Sequence, residues 1–153
     1  MALGDVAPFH RFARLYDLGM WRADPDRLRA GLALADRPVE TLLDVGGGTG
    51  RASRALSGYE RVVVDALHHM ADPERVFAAA RRVLHPGGVL LIREFDPTTL
   101  RGRGVVAAER VVGFDSTFWP PANLADRLAG AGLDARVVEK GFGYTVIGVT
   151  DGR

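Results

Sequence analysis

The chain has 153 residues, 47% of them hydrophobic and 25% charged, which is enough for one domain with a sizeable core. Its 20 basic and 19 acidic residues leave a formal net charge of +1, so no electrostatic attraction to nucleic acid or to a membrane surface follows. The absence of cysteine excludes disulfides, thiolate nucleophiles and cysteine–zinc sites. The sequence carries no basic-then-apolar signal and no apolar run of about 18 residues, so we expect a soluble, cytoplasmic protein.

Two helices are predicted before the first strand. Apolar residues recur at helical spacing from Phe9 to Met20. Asp24-Pro25 then reads as an N-cap followed by proline in the first helical position, which opens a helix to about Ala35. Residues 1–37 are therefore expected to form an N-terminal helical segment, and residues 38–153 an α/β core.

A glycine-rich turn follows the first predicted strand, Val39 to Val45, and includes Gly46, Gly48 and Gly50. Glycines let the backbone take positive φ and let a ligand approach closely, and the amino end of the next helix presents free N–H groups. The spacing does not fit the Gly-x-Gly-x-x-Gly pattern of dinucleotide-binding proteins, because the sixth position counted from Gly46 is Arg51. A P-loop would need Gly-Lys-Ser/Thr, which is absent from this turn. A nicotinamide-dependent oxidoreductase is therefore disfavoured.

The remaining pattern, Asp44-x-Gly46-x-Gly48-x-Gly50, resembles the loop of the class I S-adenosylmethionine (SAM) dependent methyltransferases. The resemblance implies that Asp44 and the three glycines hold the amino-acid end of SAM. The segment Phe12-Ala-Arg-Leu-Tyr16-Asp17 is similar to the one that precedes the domain in the ubiquinone/menaquinone-biosynthesis type, whose Tyr-Asp pair lies over the cofactor pocket. The resemblance thus implies that Tyr16 contacts cofactor or substrate; core packing is the alternative.

Asp65 closes the second predicted strand, Arg61 to Val64. Ligands of open α/β sheets bind where the strands end at their carboxyl edge. Asp65 follows Asp44 by about 20 residues, the spacing used for ribose recognition in the related dinucleotide motif. Its position therefore predicts that Asp65 binds the ribose hydroxyls.

The next residues resemble a later part of the same family. Asp65-Ala-Leu-His-His69, the helix start Asp72-Pro73 and the turn Leu84-His-Pro-Gly-Gly88 are similar to its fourth strand end, the following helix and the turn into its fifth strand. The strand at 61–64 thus corresponds to the second and the fourth strand at once, with a stretch on the order of 30 to 40 residues missing between them. The resemblance implies that this stretch carries the residues that cradle adenine. Because an exposed apolar sheet edge invites pairing, we expect a homodimer, with exchange of elements as one form of it.

His68 and His69 follow a strand at the edge where the ligand is expected. An imidazole titrates near neutral pH, so either histidine is a candidate catalytic base, with pocket lining or solvent exposure as the alternative. No metal site is expected, because adjacent residues do not face the same way and neither His10 nor His85 offers ligand spacing. The helix predicted over Asp72 to Leu84 is scaffold.

Candidate substrate ligands lie at the end of the apolar strand predicted over Val89 to Phe95. Glu94 and Asp96 alternate onto one face and are candidates for a polar group of the substrate, although a solvated strand end explains them equally well. The long connection from Pro97 to Pro121 contains a helix predicted over Val105 to Val112. It also carries three aromatic residues that either line an apolar or aromatic acceptor or cover the core or a dimer contact, namely Phe114, Phe118 and Trp119.

A helix from about Asn123 to Ala129 and an antiparallel hairpin complete the chain. The hairpin strands are Ala135 to Lys140 and Tyr144 to Val149, joined at Gly141-Phe-Gly143. The expected fold is an α/β, Rossmann-like three-layer sandwich, whose mostly parallel sheet of about five strands ends in this hairpin. The resemblance implies SAM-dependent methyl transfer to an unidentified small-molecule acceptor. The alternative is a non-catalytic, shortened relative, natural or engineered, that acts as a dimeric scaffold or weak SAM binder.

Overall fold

The computed structural model describes residues 25–33, 43–45, 62–64 and 67–151, and for the two three-residue segments it describes the backbone. The helices are α1 (Pro25–Leu32), α2 (Pro73–Val83), α3 (Leu100–Val112) and α4 (Pro121–Gly130), with a 3₁₀ turn at Leu67–His69. The strands are β1 (Leu43–Val45), β2 (Val62–Val64), β3 (Val89–Phe95), β4 (Asp134–Glu139) and β5 (Gly143–Val149). Several predicted features lie outside the described residues: the first helix, Tyr16, Gly46, Gly48, Gly50 and Asp65.

The described strands form one sheet in the order β1-β2-β3-β5-β4. Strands β1, β2 and β3 pair in parallel, whereas β5 pairs antiparallel with both β3 and β4. The predicted α/β, Rossmann-like character and the C-terminal antiparallel hairpin are confirmed. The expectation of a mostly parallel sheet holds for β1 to β3 and not for the rest of the sheet.

Helices cover both faces of this sheet because β3 is apolar on both. Leu90 and Ile92 belong to the main core, which also contains Phe77 of α2 and Leu128 of α4. Leu91, on the other face, lies so close to α1 that a Cβ on Gly31 would be 3.2 Å from its Cδ1. Successive side chains of a strand point to opposite faces, so this alternation gives three layers.

Strand β2 lies between β1 and β3 in the sheet. Val64 is paired with Val45 of β1 and with Ile92 of β3. From β2 the chain continues through the 3₁₀ turn and α2 into β3, in the order that the sequence resemblance implies for a fourth strand. The three parallel strands therefore end at one edge of the sheet. Val45, Val64 and Ile92 are register partners there, and Glu94 follows Ile92 by two residues along β3.

Helix α2 begins as predicted. The Asp72 carboxylate accepts a hydrogen bond from the backbone N–H of Arg75 at 3.1 Å, and Pro73 occupies the first turn. Helix α3 differs from the prediction, since it starts at Leu100 rather than near Val105.

The early start of α3 comes from its cap. Gly102 and Gly104 lower helix propensity, which is why the sequence pattern delayed the helix. In the structure the Thr99 hydroxyl accepts a hydrogen bond from the Gly102 N–H at 3.0 Å and donates one to the carbonyl oxygen of Asp96 at 2.9 Å. This cap fixes where α3 begins.

The two glycines of α3 are predicted to respond oppositely to alanine. A Cβ on Gly102 would lie 1.8 Å from the Asp96 carbonyl oxygen, whereas one on Gly104 would meet nothing within 4 Å. Gly102→Ala should therefore destabilise the protein by about 1–3 kcal/mol, as overpacking does. Gly104→Ala should stabilise it by about 0.5–1 kcal/mol through helix propensity. Urea unfolding of the two variants tests this, and equal effects would contradict the close packing at Gly102.

Candidate active site

His68 is buried and held by a carboxylate. Its Nδ1 lies 2.6 Å from Glu94 Oε2, and its backbone N–H donates to Glu94 Oε1 at 3.1 Å. Both side chains are only 2% exposed. Because the Glu94 carboxylate accepts hydrogen bonds, it favours the tautomer in which Nδ1 carries the proton and Nε2 is the basic nitrogen.

The other nitrogen of His68 is turned towards α3. His68 Nε2 lies 3.9 Å from Glu109 Oε1, and the Glu109 side chain is 12% exposed. The cap at Thr99 sets the start of α3 and hence the position of Glu109 three turns later. Sequence reasoning did not single out Glu109, because a lone acidic residue in a helix with no clear apolar stripe gives no signal.

The segment 114–118 packs over the two histidines. The Phe118 ring stacks on His68 with centroids 4.7 Å apart, and the Phe114 ring lies 5.4 Å from that of His69. The Thr117 N–H donates to the carbonyl oxygen of His68 at 2.9 Å. Two of the three predicted aromatic residues thus lie beside the predicted histidines.

Trp119, the third aromatic residue, is buried in the main core. Its carbonyl oxygen accepts a hydrogen bond from the Tyr144 hydroxyl at 2.7 Å, and the Arg127 guanidinium lies 5.4 Å from its ring centroid. Burial raises the pKa of Tyr144, and the nearby carboxylates of Glu94 and Asp96 raise it further, so the hydroxyl stays protonated as a donor. This bond anchors the end of the segment that covers the histidines.

His69 faces the same region as His68, contrary to the expectation for adjacent residues. Their ring centroids are 4.1 Å apart with a tilt of 51°, because both residues lie in the 3₁₀ turn. His69 Nδ1 is 3.0 Å from the Ser116 hydroxyl. The geometric reason for expecting no metal site at this pair is therefore wrong.

Glu94 and Asp96, predicted as a pair of substrate ligands, have different surroundings. Glu94 is bonded to His68, as described above. Asp96 Oδ1 accepts hydrogen bonds from the backbone N–H and the hydroxyl of Thr98, at 2.9 and 2.6 Å. Its carboxylate thus stabilises the turn before α3.

Comparison with known proteins shows which proteins share this architecture. The family model for a methyltransferase domain matches residues 61–92, which run from β2 through the histidines and α2 into β3. A SAM-dependent methyltransferase from Thermotoga maritima superposes with a TM-score of 0.71 at 17% identity, over 94% of this chain and 98% of that one. The chain has the fold of the class I SAM-dependent methyltransferases. No curated protein matches its sequence to a significant level.

Two further structures share this methyltransferase fold. One is a methyltransferase from Haloferax volcanii in complex with the activator Trm112, with a TM-score of 0.65, 16% identity, and 94% and 96% of the two chains covered. The other is human N-acetylserotonin methyltransferase in complex with SAM, with a TM-score of 0.64 and 15% identity. The match covers 94% of this chain and 55% of the human one, so the chain spans little more than half of that protein. Among the helices that the structure describes, none is long and apolar enough to cross a membrane.

Proposed function

We propose that this protein is an enzyme that transfers the methyl group of SAM to an oxygen or nitrogen of a small-molecule acceptor, with His68 as the proton acceptor. The observation that carries the proposal is the buried His68–Glu94 pair at the carboxyl edge of the parallel strands. Burying two polar side chains costs free energy, which favours a functional role for the pair. The basic nitrogen of the pair, His68 Nε2, faces α3, and the Phe118 ring stacks on the same imidazole.

The cofactor is proposed to bind beside this pair. Asp44 and the glycines Gly46, Gly48 and Gly50 would hold the methionine part of SAM, Asp65 the ribose, and Tyr16 would lie over the pocket. Support comes from the sequence motif, from the methyltransferase fold, and from the parallel pairing of Asp44 with Val63, which sets β1 and β2 side by side.

Methyl transfer from SAM requires mainly that the protein position the acceptor and the methyl group. Bound SAM would supply an activated methyl group: the acceptor atom would form a bond to the methyl carbon as the sulfur–carbon bond breaks, and the sulfur would leave as a neutral thioether. The acceptor proton passes to His68 Nε2. Glu94 holds the ring and stabilises the imidazolium that forms, so it acts as a positioning residue. Alignment of acceptor, methyl carbon and sulfur supplies much of the rate.

Aromatic residues at the site indicate an apolar or aromatic acceptor. The Phe114 and Phe118 rings lie against the two imidazoles, so a flat acceptor that reaches His68 would meet aromatic surface. Trp119 would contribute by anchoring this segment from the core. His69 is proposed as a second polar contact for the acceptor.

The test is an activity screen. Purified protein is incubated with SAM and a panel of aromatic phenols, alcohols and amines, and S-adenosylhomocysteine and methylated product are measured by mass spectrometry. Product that forms only with an acceptor present is the expected result. Cofactor binding with no turnover across the panel would favour the alternative, a non-catalytic methyltransferase-fold protein.

A homodimer is proposed from the sheet edge. In the described part of the sheet, β1 has a neighbour on one side only, and a strand edge of this kind invites pairing. Sedimentation equilibrium should therefore show a dimer at micromolar concentrations, and a monomer there would contradict it.

A further inference from the structure

Three possible metal ligands converge at the site. His68, His69 and Glu109 each offer one ligand atom, and these atoms all lie within 4.8 Å of one another. The two histidines come from the 3₁₀ turn at the end of β2, and Glu109 comes from α3. Glu109 follows His69 by 40 residues in the sequence, so tertiary packing brings the carboxylate to the two histidines.

Both histidines have the supporting contacts that metal-bound imidazoles have. Such histidines nearly always donate the hydrogen of their second ring nitrogen to a carboxylate, a backbone carbonyl or a water, which fixes ring orientation and tautomer. Here Glu94 Oε2 lies 2.6 Å from His68 Nδ1, and the Ser116 hydroxyl lies 3.0 Å from His69 Nδ1. The Glu94 contact leaves His68 Nε2 as the nitrogen that faces Glu109.

The buried carboxylate of Glu109 also favours a bound cation. Its Oε2 atom is buried and has no hydrogen-bond partner within the described ranges, while its Oε1 lies 3.9 Å from His68 Nε2. A carboxylate oxygen buried without a partner is costly. A cation between the carboxylate and the imidazoles would satisfy it.

The ligand types indicate which class of ion would bind, and the distances show that the side chains must move closer together to bind it. In a tetrahedral site with bonds of about 2.0–2.1 Å, neighbouring ligand atoms are about 3.3 Å apart. The separation of 3.9 Å between His68 Nε2 and Glu109 Oε1, and the other separations in the cluster, which reach at most 4.8 Å, therefore need to close by side-chain movement when an ion binds. Two imidazoles and one carboxylate suit Zn²⁺ and its transition-metal neighbours, whereas Mg²⁺ and Ca²⁺ prefer sets made of oxygen.

The geometry points to a divalent transition-metal site formed by His68, His69 and Glu109, with Zn²⁺ as the preferred ion and a fourth position open to a water or an acceptor atom. This goes beyond the proposed function. A nitrogen that ligates a cation cannot accept a proton, so metal binding and the proton-accepting role of His68 exclude each other in one molecule.

The experiment is a metal titration of the full chain without SAM or acceptor. Metal-free protein is titrated with Co²⁺, whose visible absorption becomes intense on tetrahedral ligation, and Zn²⁺ is then added to displace it. We expect one equivalent to bind and Zn²⁺ to abolish the absorption. Glu109→Gln and His69→Ala should each weaken binding by about 100-fold, since loss of supporting contacts alone costs 10–100-fold. The matched control His85→Ala, at an exposed histidine outside the cluster, should bind as the unaltered protein does.

Two results would overturn the site. One is the absence of any absorption change or calorimetric heat with either ion. The other is binding that survives both Glu109→Gln and His69→Ala, which would locate the ion elsewhere in the chain. Thermal unfolding of each metal-free variant shows whether it is folded; if His69→Ala is not, the decision rests on Glu109→Gln, which keeps side-chain size. Because no methyl donor or acceptor is present, the titration tests the metal site alone, and methyl transfer by the metal-free protein is tested separately by the activity screen.

Discussion

Replacing His68 by asparagine lowers kcat by about 10²–10⁴-fold and leaves cofactor binding unchanged, if His68 accepts the acceptor proton. The asparagine amide can donate to Glu94 from nearly the place of Nδ1, which limits the damage to the buried pair. It has no group that corresponds to Nε2, the nitrogen turned towards Glu109. The variant therefore removes the base and keeps the hydrogen bond that holds Glu94.

This comparison is made with an acceptor from the activity screen, in metal-free buffer, so that loss of a base is not confused with loss of an ion. His85→Asn is the control, since His85 is exposed at the turn before β3 and should keep full activity. Binding of S-adenosylhomocysteine by both variants shows that the cofactor pocket is intact. A His68→Asn enzyme that retains kcat within a few-fold would mean that the proton leaves by another route.

Replacing Phe77 by alanine is expected to lower the free energy of unfolding by about 3–5 kcal/mol. The Phe77 side chain is fully buried and belongs to the cluster that joins α2 to β3 and α4. Truncation removes its apolar surface from the core and leaves a cavity, because neighbouring side chains relax only partly. Domains of this size have a stability of about 5–15 kcal/mol, so the loss is a large share of the total.

Val83→Ala on the same helix is the matched control. Val83 is 55% exposed, and substitutions at such positions usually change stability by less than about 0.5 kcal/mol. Urea denaturation of the two variants gives both values. Similar losses for the two would mean that α2 is not packed on the sheet as described.

Much of the fold could be predicted from local signals. The Asp72 cap with Pro73 located α2, and the apolar run over β3 and the glycines around Phe142 located a strand and a hairpin. These signals lie within a few residues of the structure that they specify. The start of α3 could not be predicted in the same way, because it depends on the Thr99 cap, whose hydroxyl accepts a hydrogen bond from the Gly102 N–H and donates one to the Asp96 carbonyl oxygen.

The candidate site was predictable in part for a related reason. His68, His69 and Glu94 could be chosen because each follows or ends a strand at the carboxyl edge of a parallel sheet. That Glu94 is bonded to His68, and that Glu109 lies across from it, depends on how β3 and α3 pack. Contacts between residues this far apart in the chain cannot be predicted from spacing in the sequence. The aromatic residues could not be separated from the sequence either: Phe118 stacks on His68 at the site, whereas its neighbour Trp119 is buried in the main core.

The central claim is that a chain with this methyltransferase fold holds SAM at the carboxyl edge of its parallel strands. The most direct test is calorimetric titration of the purified protein with S-adenosylhomocysteine, alongside Asp44→Asn in the loop motif and Asp126→Asn on the exposed side of α4. We predict a dissociation constant on the order of micromolar for the protein and for Asp126→Asn, and binding weakened at least about tenfold, or roughly 1.4 kcal/mol, by Asp44→Asn. No heat of binding even at millimolar ligand would contradict the claim, and would mean that the fold has been kept without its cofactor site.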